Sequence, residues 1–164
     1  MRVTRIQLLT NELKKFPVAT LYEAAGQVGD MYPEIRPVFT NPIIAGIAYT
    51  VKVFPSDTLG VIKAIDKAPE NSIIVIDAGG TTRSAVWGGT SSLACSLKGL
   101  KGCVTNGCVR DIEEIKQIGF PVLSNRSFSD SGAVKSMSSL KYKKSSVKLG
   151  ISCSTDSKVQ EQKE

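Results

Sequence analysis

Three short stretches of this chain carry residue types whose spacing could support chemistry. Gly88-Gly89-Thr90-Ser91 opens a segment that reads as a helix. The first N–H groups of a helix lack intrahelical acceptors and sit at the positive end of its dipole, so they can bind an anion. Glycines let a ligand come close to the backbone, and Thr90 or Ser91 would add a hydroxyl donor. The same residues also read as a tight turn and helix cap with no ligand. The second stretch is Gly107-Cys108-Val109-Arg110-Asp111. Arg110 leaves the end of a predicted strand, where α/β folds place their ligands, and its guanidinium can grip a carboxylate with two parallel hydrogen bonds. Asp111 begins a helix and could hold a hard cation. Equally, Asp111-Ile112-Glu113-Glu114 fits a capping box, in which Asp111 would serve only its own helix. The third stretch, Asp77-Ala78-Gly79-Gly80, reads as a strand end and turn; Asp57 and Glu23 have sufficient roles as helix caps.

What is missing narrows the chemistry. The chain has no histidine, which removes Ser-His-Asp hydrolysis, Cys-His proteolysis, His-ligated zinc and phosphohistidine transfer. Acid–base work would fall to Asp, Glu, Lys, Tyr or a metal-bound water. The four cysteines, Cys95, Cys103, Cys108 and Cys153, form no CxxC pair and read as buried small hydrophobes. A cation held by such a chain would be Mg²⁺ or Mn²⁺, with water filling most positions. Net charge is +6, yet residues 135–164 hold seven Lys against three acidic residues, so +4 of it lies in the tail. A solvated basic tail accounts for that better than a nucleic-acid surface, and no direct nucleic-acid partner is expected. No apolar run is long enough to span a membrane and the N-terminus has no signal-peptide core, so a cytoplasmic location is the expectation.

The elements that must position these residues follow from periodicity. Residues 4–15 read as an amphipathic helix with Ile6, Leu9 and Leu13 on one face. A second helix is expected from Thr20, capped by Thr20-Leu21-Tyr22-Glu23 and stopped by Gly29. Residues 30–46 are loop-rich, with Pro33, Pro37 and Pro42. Alternation over 47–54 predicts a strand. Ser56 or Asp57 would cap a helix burying Leu59, Ile62 and Ile65. The β-branched run 73–76 predicts a buried strand. Residues 90–98 read as a helix with Leu93, Leu97 and Leu100 on one stripe, 103–105 as a short strand, 111–118 as a short helix ended by Gly119, and 121–124 as a strand. Strands alternating with helices predict a layered α/β fold. The expected domain covers 1–135, and the Lys/Ser-rich segment 136–164 is expected to be poorly ordered.

Taken in order, these pieces resemble the RraA-like family, named for a regulator of ribonuclease activity and also containing 4-hydroxy-4-methyl-2-oxoglutarate aldolases. The resemblance runs over about residues 17–135, through PVATLYEAAGQVG, PEIRPVF, GIAYTVKV, SDTLGVIKAI, IIVIDAGG and AVWGG. It is most specific in KGLKGCVTNGCVRDIEEIKQIGFPVLSNRSFSDSGAVKS, where Gly-x-Val-x-x-Gly stands between the glycine turn and Arg110-Asp111. The resemblance implies an α/β/α sandwich of the swivelling β/β/α type, assembled as a homotrimer with its site at a subunit interface. It implies that Gly88, Gly89, Thr90, Ser91 and Arg110 bind a 2-oxo acid and that Asp111 holds the divalent metal through waters, with Arg110 and Asp111 as catalytic residues. The implied activity is cleavage of 4-hydroxy-4-methyl-2-oxoglutarate to pyruvate, with oxaloacetate decarboxylation beside it. The alternative it implies is a non-catalytic protein that binds and regulates a ribonuclease. Departures are Gly89, where many members carry Asp or Glu, Asn106, where Asp is common, and Ile62, where many have His. The first two remove negative charge near the implied cation. The family's further C-terminal strands, with Pro-Gly-Asp and Asp-x-x-Gly, have no match after about Ser136.

Overall fold

The computed structural model describes residues 5–39, 42–81, 84–127 and 148–152. Two helices, α1 (Arg5–Leu13) and α2 (Val18–Ala24), precede a mixed sheet. Its strands are β1 (Arg36–Pro37), β2 (Ile44–Lys52), β3 (Ser72–Asp77), β4 (Ala85–Trp87), β5 (Gly102–Val109), β6 (Val122–Ser127) and β7 (Lys148–Ser152). Three more helices join them: α3 (Thr58–Lys67), α4 (Gly89–Leu97) and α5 (Ile112–Ile118). The strand order is β1-β6-β5-β3-β2-β7, with β4 also paired to β5. The inner pairs β2/β3, β3/β5 and β5/β6 are parallel, whereas β1 and β7 lie antiparallel at the edges. This is the layered α/β fold expected from the alternation of elements.

The two faces of the sheet are written in the strand pattern. In β3, Ile74 and Ile76 enter the larger core with Val61, Ala64, Trp87, Cys95, Cys103, Ile115 and Val122. Ile73 points the other way, to Met31, Ile44, Val104 and Leu123. Successive residues of a strand face opposite sides, so one apolar run supplies both cores. Cys95, Cys103 and Cys108 are buried. Burial pushes the Cys95 thiol up to about 12 and Cys103 well above its ordinary value, so both stay protonated as small hydrophobes. Cys153 lies outside the described residues.

Several local expectations change. The second helix begins at Val18, not Thr20, and Thr20 caps nothing. Pro17, at φ −57°, stands ahead of it, and its ring is already set for a helix start where no N–H is needed. That helix ends at Ala24, with Gly26 at φ +80°, before Gly29. Asp57 does cap α3, accepting 3.0 Å from the Gly60 N–H. The buried face of α3 is nevertheless Gly60, Val61, Ala64 and Ile65, leaving Leu59 and Ile62 exposed. The cap fixes the start one residue after Asp57, and small residues let the helix lie close to the sheet. At the other end of α3 the Lys98 ammonium donates to the Ile65 and Asp66 carbonyls. On α4 the buried residues are Gly89, Ser92 and Cys95, while Leu93 and Leu97 face outward. The strand expected at 103–105 extends over Gly102–Val109, with a register shift against β6 between Thr105 and Cys108. Within the tail expected to lack order, Lys148–Ser152 pairs with β2; the remainder lies outside the described residues.

Candidate functional site

The site forms where β4 and β5 end side by side. Because β4 pairs in parallel with the second half of β5, both strands deliver their C-terminal residues to one place. Beyond β4 the chain turns through Gly88 into α4; beyond β5 it passes Arg110 and Asp111 into α5. The Arg110 N–H donates 3.0 Å to the Trp87 carbonyl and ties the two exits together.

The turn is fixed from below. The Trp87 indole N–H donates 2.8 Å to the Ser92 hydroxyl, which donates 3.1 Å to the Gly88 carbonyl. Ser92 is fully buried and Trp87 nearly so, with the Phe120 ring stacked on the indole at 6.2 Å between centroids. Buried polar groups satisfied in this way hold one geometry. Trp87 and Ser92 were absent from the expected site. Their signal in the sequence was a Trp and a Ser flanking the glycines, which looks like ordinary core.

Asp111 does not cap its own helix. It stands at the N-cap position with φ +60° and ψ +41°, and its side chain makes no cap hydrogen bond, contrary to the capping-box reading. The left-handed backbone at a non-glycine residue is a locally strained conformation. It turns the carboxylate toward α4, where Oδ2 accepts from the Gly89 N–H at 3.2 Å and meets Arg110 Nε at 3.4 Å. Arg110 and Asp111 are each a little over one third exposed, so this pair is open to solvent. Thr90 is exposed and Ser91 half-buried in the first turn of the same helix. The structure therefore brings all six expected residues, Gly88, Gly89, Thr90, Ser91, Arg110 and Asp111, to one turn.

The glycines are required by close approach. A Cβ on Gly88 would lie 2.6 Å from Asp111 Oδ2 and 3.2 Å from Arg110 Nε. A Cβ on Gly89 would overlap the Glu114 carboxylate, one helical turn beyond Asp111. In the sequence, Glu114 reads only as the far end of a capping box. Two carboxylates and a guanidinium thus close on a turn without side chains. Among the described residues no three His, Cys, Asp or Glu side chains gather into a metal-binding group. A pair of hard oxygen donors in a cradle that a Cβ would fill suits a cation that keeps most of its water.

The Asp77 turn is separate in its bonding. Asp77 Oδ1 accepts from Asn106 Nδ2 at 2.8 Å and from the Gly79 N–H at 3.0 Å, and Oδ2 meets the Lys52 ammonium at 2.9 Å. Asn106 Oδ1 accepts from the Ala78 N–H at 2.7 Å. Burial pushes the Asp77 carboxyl up, but these donors outweigh it and hold it below its ordinary 3.8. An Asp at position 106 would lose the amide donor and face this carboxylate, so Asn106 answers to Asp77.

A parallel-strand exit that sets an Arg-Asp pair against a glycine helix start frames the candidate site of this α/β protein. The chain belongs to the RraA-like family, matching the Aldolase/RraA family model over residues 18–157, beyond the limit near Ser136 expected from the sequence. An uncharacterised protein of Methanocaldococcus jannaschii is 39% identical over 116 residues, covering 70% of this chain and 54% of that protein. A Halalkalibacterium halodurans protein named "Putative 4-hydroxy-4-methyl-2-oxoglutarate aldolase" is 30% identical, covering 74% and 58% respectively. The chain thus spans little more than half the length of these relatives. Among solved structures, the RNA-processing inhibitor RraA from Thermus thermophilus has the same fold, with a TM-score of 0.65 at 20% identity over 82% of this chain and 76% of that one. No helix among the described residues is long and apolar enough to cross a membrane.

Proposed function

We propose that this chain is a divalent-metal-dependent lyase of 2-oxo acids, cleaving 4-hydroxy-4-methyl-2-oxoglutarate to pyruvate and decarboxylating oxaloacetate. The observation that carries this reading is the left-handed Asp111, whose carboxylate leaves its own helix to meet Gly89 and Arg110. Support for the substrate class comes from relatives named as aldolases at 30% identity and above.

Each residue has a defined task in the proposed reaction. Arg110 binds the substrate carboxylate through its guanidinium. The N–H groups of Thr90 and Ser91, in the first turn of α4, have no intrahelical acceptors and orient the oxo-acid end, with the helix dipole favouring negative charge there. Asp111 and the cradle at Gly88 and Gly89 would hold a hydrated Mg²⁺ or Mn²⁺. When bound, the cation supplies Lewis acidity toward the charge that a breaking carbon–carbon bond leaves on pyruvate. Arg110 adds fixed positive potential at the same place without reorganising during the reaction. The substrate hydroxyl proton would pass to water, and the enolate left by the cleavage would take a proton from water to become pyruvate.

A homotrimer belongs to the same proposal. Leu59 and Ile62 on α3 and Leu93 and Leu97 on α4 are 40%, 57%, 45% and 81% exposed, and burial against a second copy would remove that apolar surface from water. The reading as a ribonuclease-binding regulator rests on fold likeness at 20% identity, with no feature of the site behind it.

The test is pyruvate release from oxaloacetate and from 4-hydroxy-4-methyl-2-oxoglutarate by purified protein with Mg²⁺ or Mn²⁺. Release above the protein-free metal blank is the expected result. A rate equal to the blank with both substrates removes the lyase reading.

A further inference from the structure

Helix α4 starts without a capping side chain: Gly88 stands at its N-cap position in extended backbone, at φ −162°. A Ser, Thr or Asp there would accept from the N–H of Thr90 or Ser91, the donors assigned above to the oxo-acid end of the substrate. It would also find no room, since a Cβ on Gly88 would lie 2.6 Å from Asp111 Oδ2. The helix start is held from the other side. The Gly88 carbonyl accepts from the Ser92 N–H and from the Ser92 hydroxyl, each at 3.1 Å. That hydroxyl accepts in turn from the Trp87 indole N–H at 2.8 Å. Trp87, the single tryptophan of the chain, is 2% exposed and Ser92 0%. The Trp87 carbonyl also accepts from the Arg110 N–H. One buried residue is thus bonded to the start of α4 and to the strand exit that carries Arg110.

We propose that Trp87 and Ser92 are positioning residues that replace the missing cap. They hold the first turn of α4 from inside the core, through the Gly88 carbonyl, and leave the Thr90 and Ser91 N–H groups to the substrate. This rests on the lyase reading proposed above. A capping side chain satisfies N–H groups, and a helix start held that way has fewer donors for a ligand. The indole–hydroxyl–carbonyl chain engages an acceptor instead, so the turn is fixed and its donors are not consumed. Burial strengthens the chain, because each member has its partner and water does not compete. The Phe120 ring, stacked on the indole, restrains it with its N–H aimed at Ser92. Both residues are buried beneath the turn and act on the ligand only through Gly88 and the N–H groups that follow it.

The test is calorimetric titration of the full-length protein with oxalate, a planar dianion shaped like the enolate of pyruvate, in excess Mg²⁺, beside steady-state pyruvate release. Ser92→Ala removes the hydroxyl between the indole and the Gly88 carbonyl. It is expected to weaken oxalate binding about tenfold and to raise KM for oxaloacetate as much, the scale of one hydrogen bond lost to a charged ligand. Its kcat should stay within about twofold, because donors that bind substrate and transition state alike act on KM. Trp87→Phe keeps the stacked ring and lacks the N–H, and a loss of about threefold is expected, since Ser92 can still donate to Gly88. The double variant should be no weaker than Ser92→Ala, because both changes break one chain. Thermal melts by circular dichroism establish that each variant is folded, and Trp87→Phe carries the test should Ser92→Ala fail to fold. Parental oxalate affinity and KM in the folded variants, with only the melting temperature lowered, make the pair ordinary core and overturn the inference. A loss confined to kcat overturns it as well. Failure of the parent to bind oxalate overturns it together with the lyase reading. The expected oxalate pattern with no pyruvate release above the blank leaves the positioning role and removes only the lyase.

Discussion

Arg110 and Asp111 sit side by side but do different work, and their variants should separate it. Arg110→Ala removes a group that touches both the substrate carboxylate and the charge developing on pyruvate. Its KM should rise and its kcat fall, for a combined loss in kcat/KM of about 100-fold, as for other fixed cationic groups at developing charge. Asp111→Asn is the sharper probe. Its side chain makes no cap bond to α5, so capping is not at stake, and Asn tolerates the φ of +60° as well as Asp does. The melting temperature should therefore stay close to that of the parent, while metal-stimulated pyruvate release disappears. A fully active Asp111→Asn protein, assayed across Mg²⁺ concentrations, would contradict the metal role. Asp111→Ala is less informative, because alanine must occupy a left-handed backbone and adds strain to any functional loss.

At the scale of elements, the clasp between β3 and β5 predicts a pH-dependent stability. Asn106 bridges the Asp77 carboxylate and the Ala78 N–H. Asn106→Ala should cost about 1–3 kcal/mol at pH 7, since it strips one donor from a partly buried carboxylate and leaves an N–H without its acceptor. The Asp77 carboxyl is held below its ordinary 3.8, so the folded state binds its proton more weakly than the unfolded chain. That part of the stability is full above about 3.8 and is lost as pH falls through the lower folded value. Urea melts of parent and variant should therefore converge as pH drops below 3.8, leaving only the share due to the Ala78 N–H. These elements also mark how far the sequence could be read. Strand β3 was plain from a β-branched run ended by glycines, and Asp57 was plain as a cap because its side chain does what caps do. The helix faces were misjudged. Leu59, Ile62, Leu93 and Leu97 have helical spacing, but Val61, Ala64, Ser92 and Cys95 are what the sheet covers. Periodicity reports an apolar stripe without saying which partner buries it. The six residues that meet at the turn were named from motif and family resemblance. The turn of Asp111 away from its own helix was not, because a capping box and an outward-turned carboxylate share one sequence, and here the carboxylate goes to the Gly89 N–H of α4.

For the whole molecule, the misjudged leucines point outward together. Leu97 is 81% exposed on α4, the helix whose start forms the site, and Leu93 stands one turn before it. Burying a Leu side chain is worth about 1.5–3 kcal/mol, so several copies of this stripe meeting one another could hold subunits together. A ring assembled through α4 would set the glycine turn near a subunit boundary, and assembly and activity would then be linked. Light scattering of the purified chain should give three times the 17.6 kDa monomer mass. Leu97→Glu should shift it to monomer, because a charge buried at such a contact has no partner and costs more than the leucine gained. The fold itself should survive, since Leu97 contributes little to the monomer core, and far-UV circular dichroism would confirm that. Pyruvate release should fall with the trimer if the site is shared between subunits. A Leu97→Glu protein that remains trimeric would place the contact elsewhere, and a parent that is monomeric at all concentrations would leave the turn at Gly88 and Gly89 to work within a single chain.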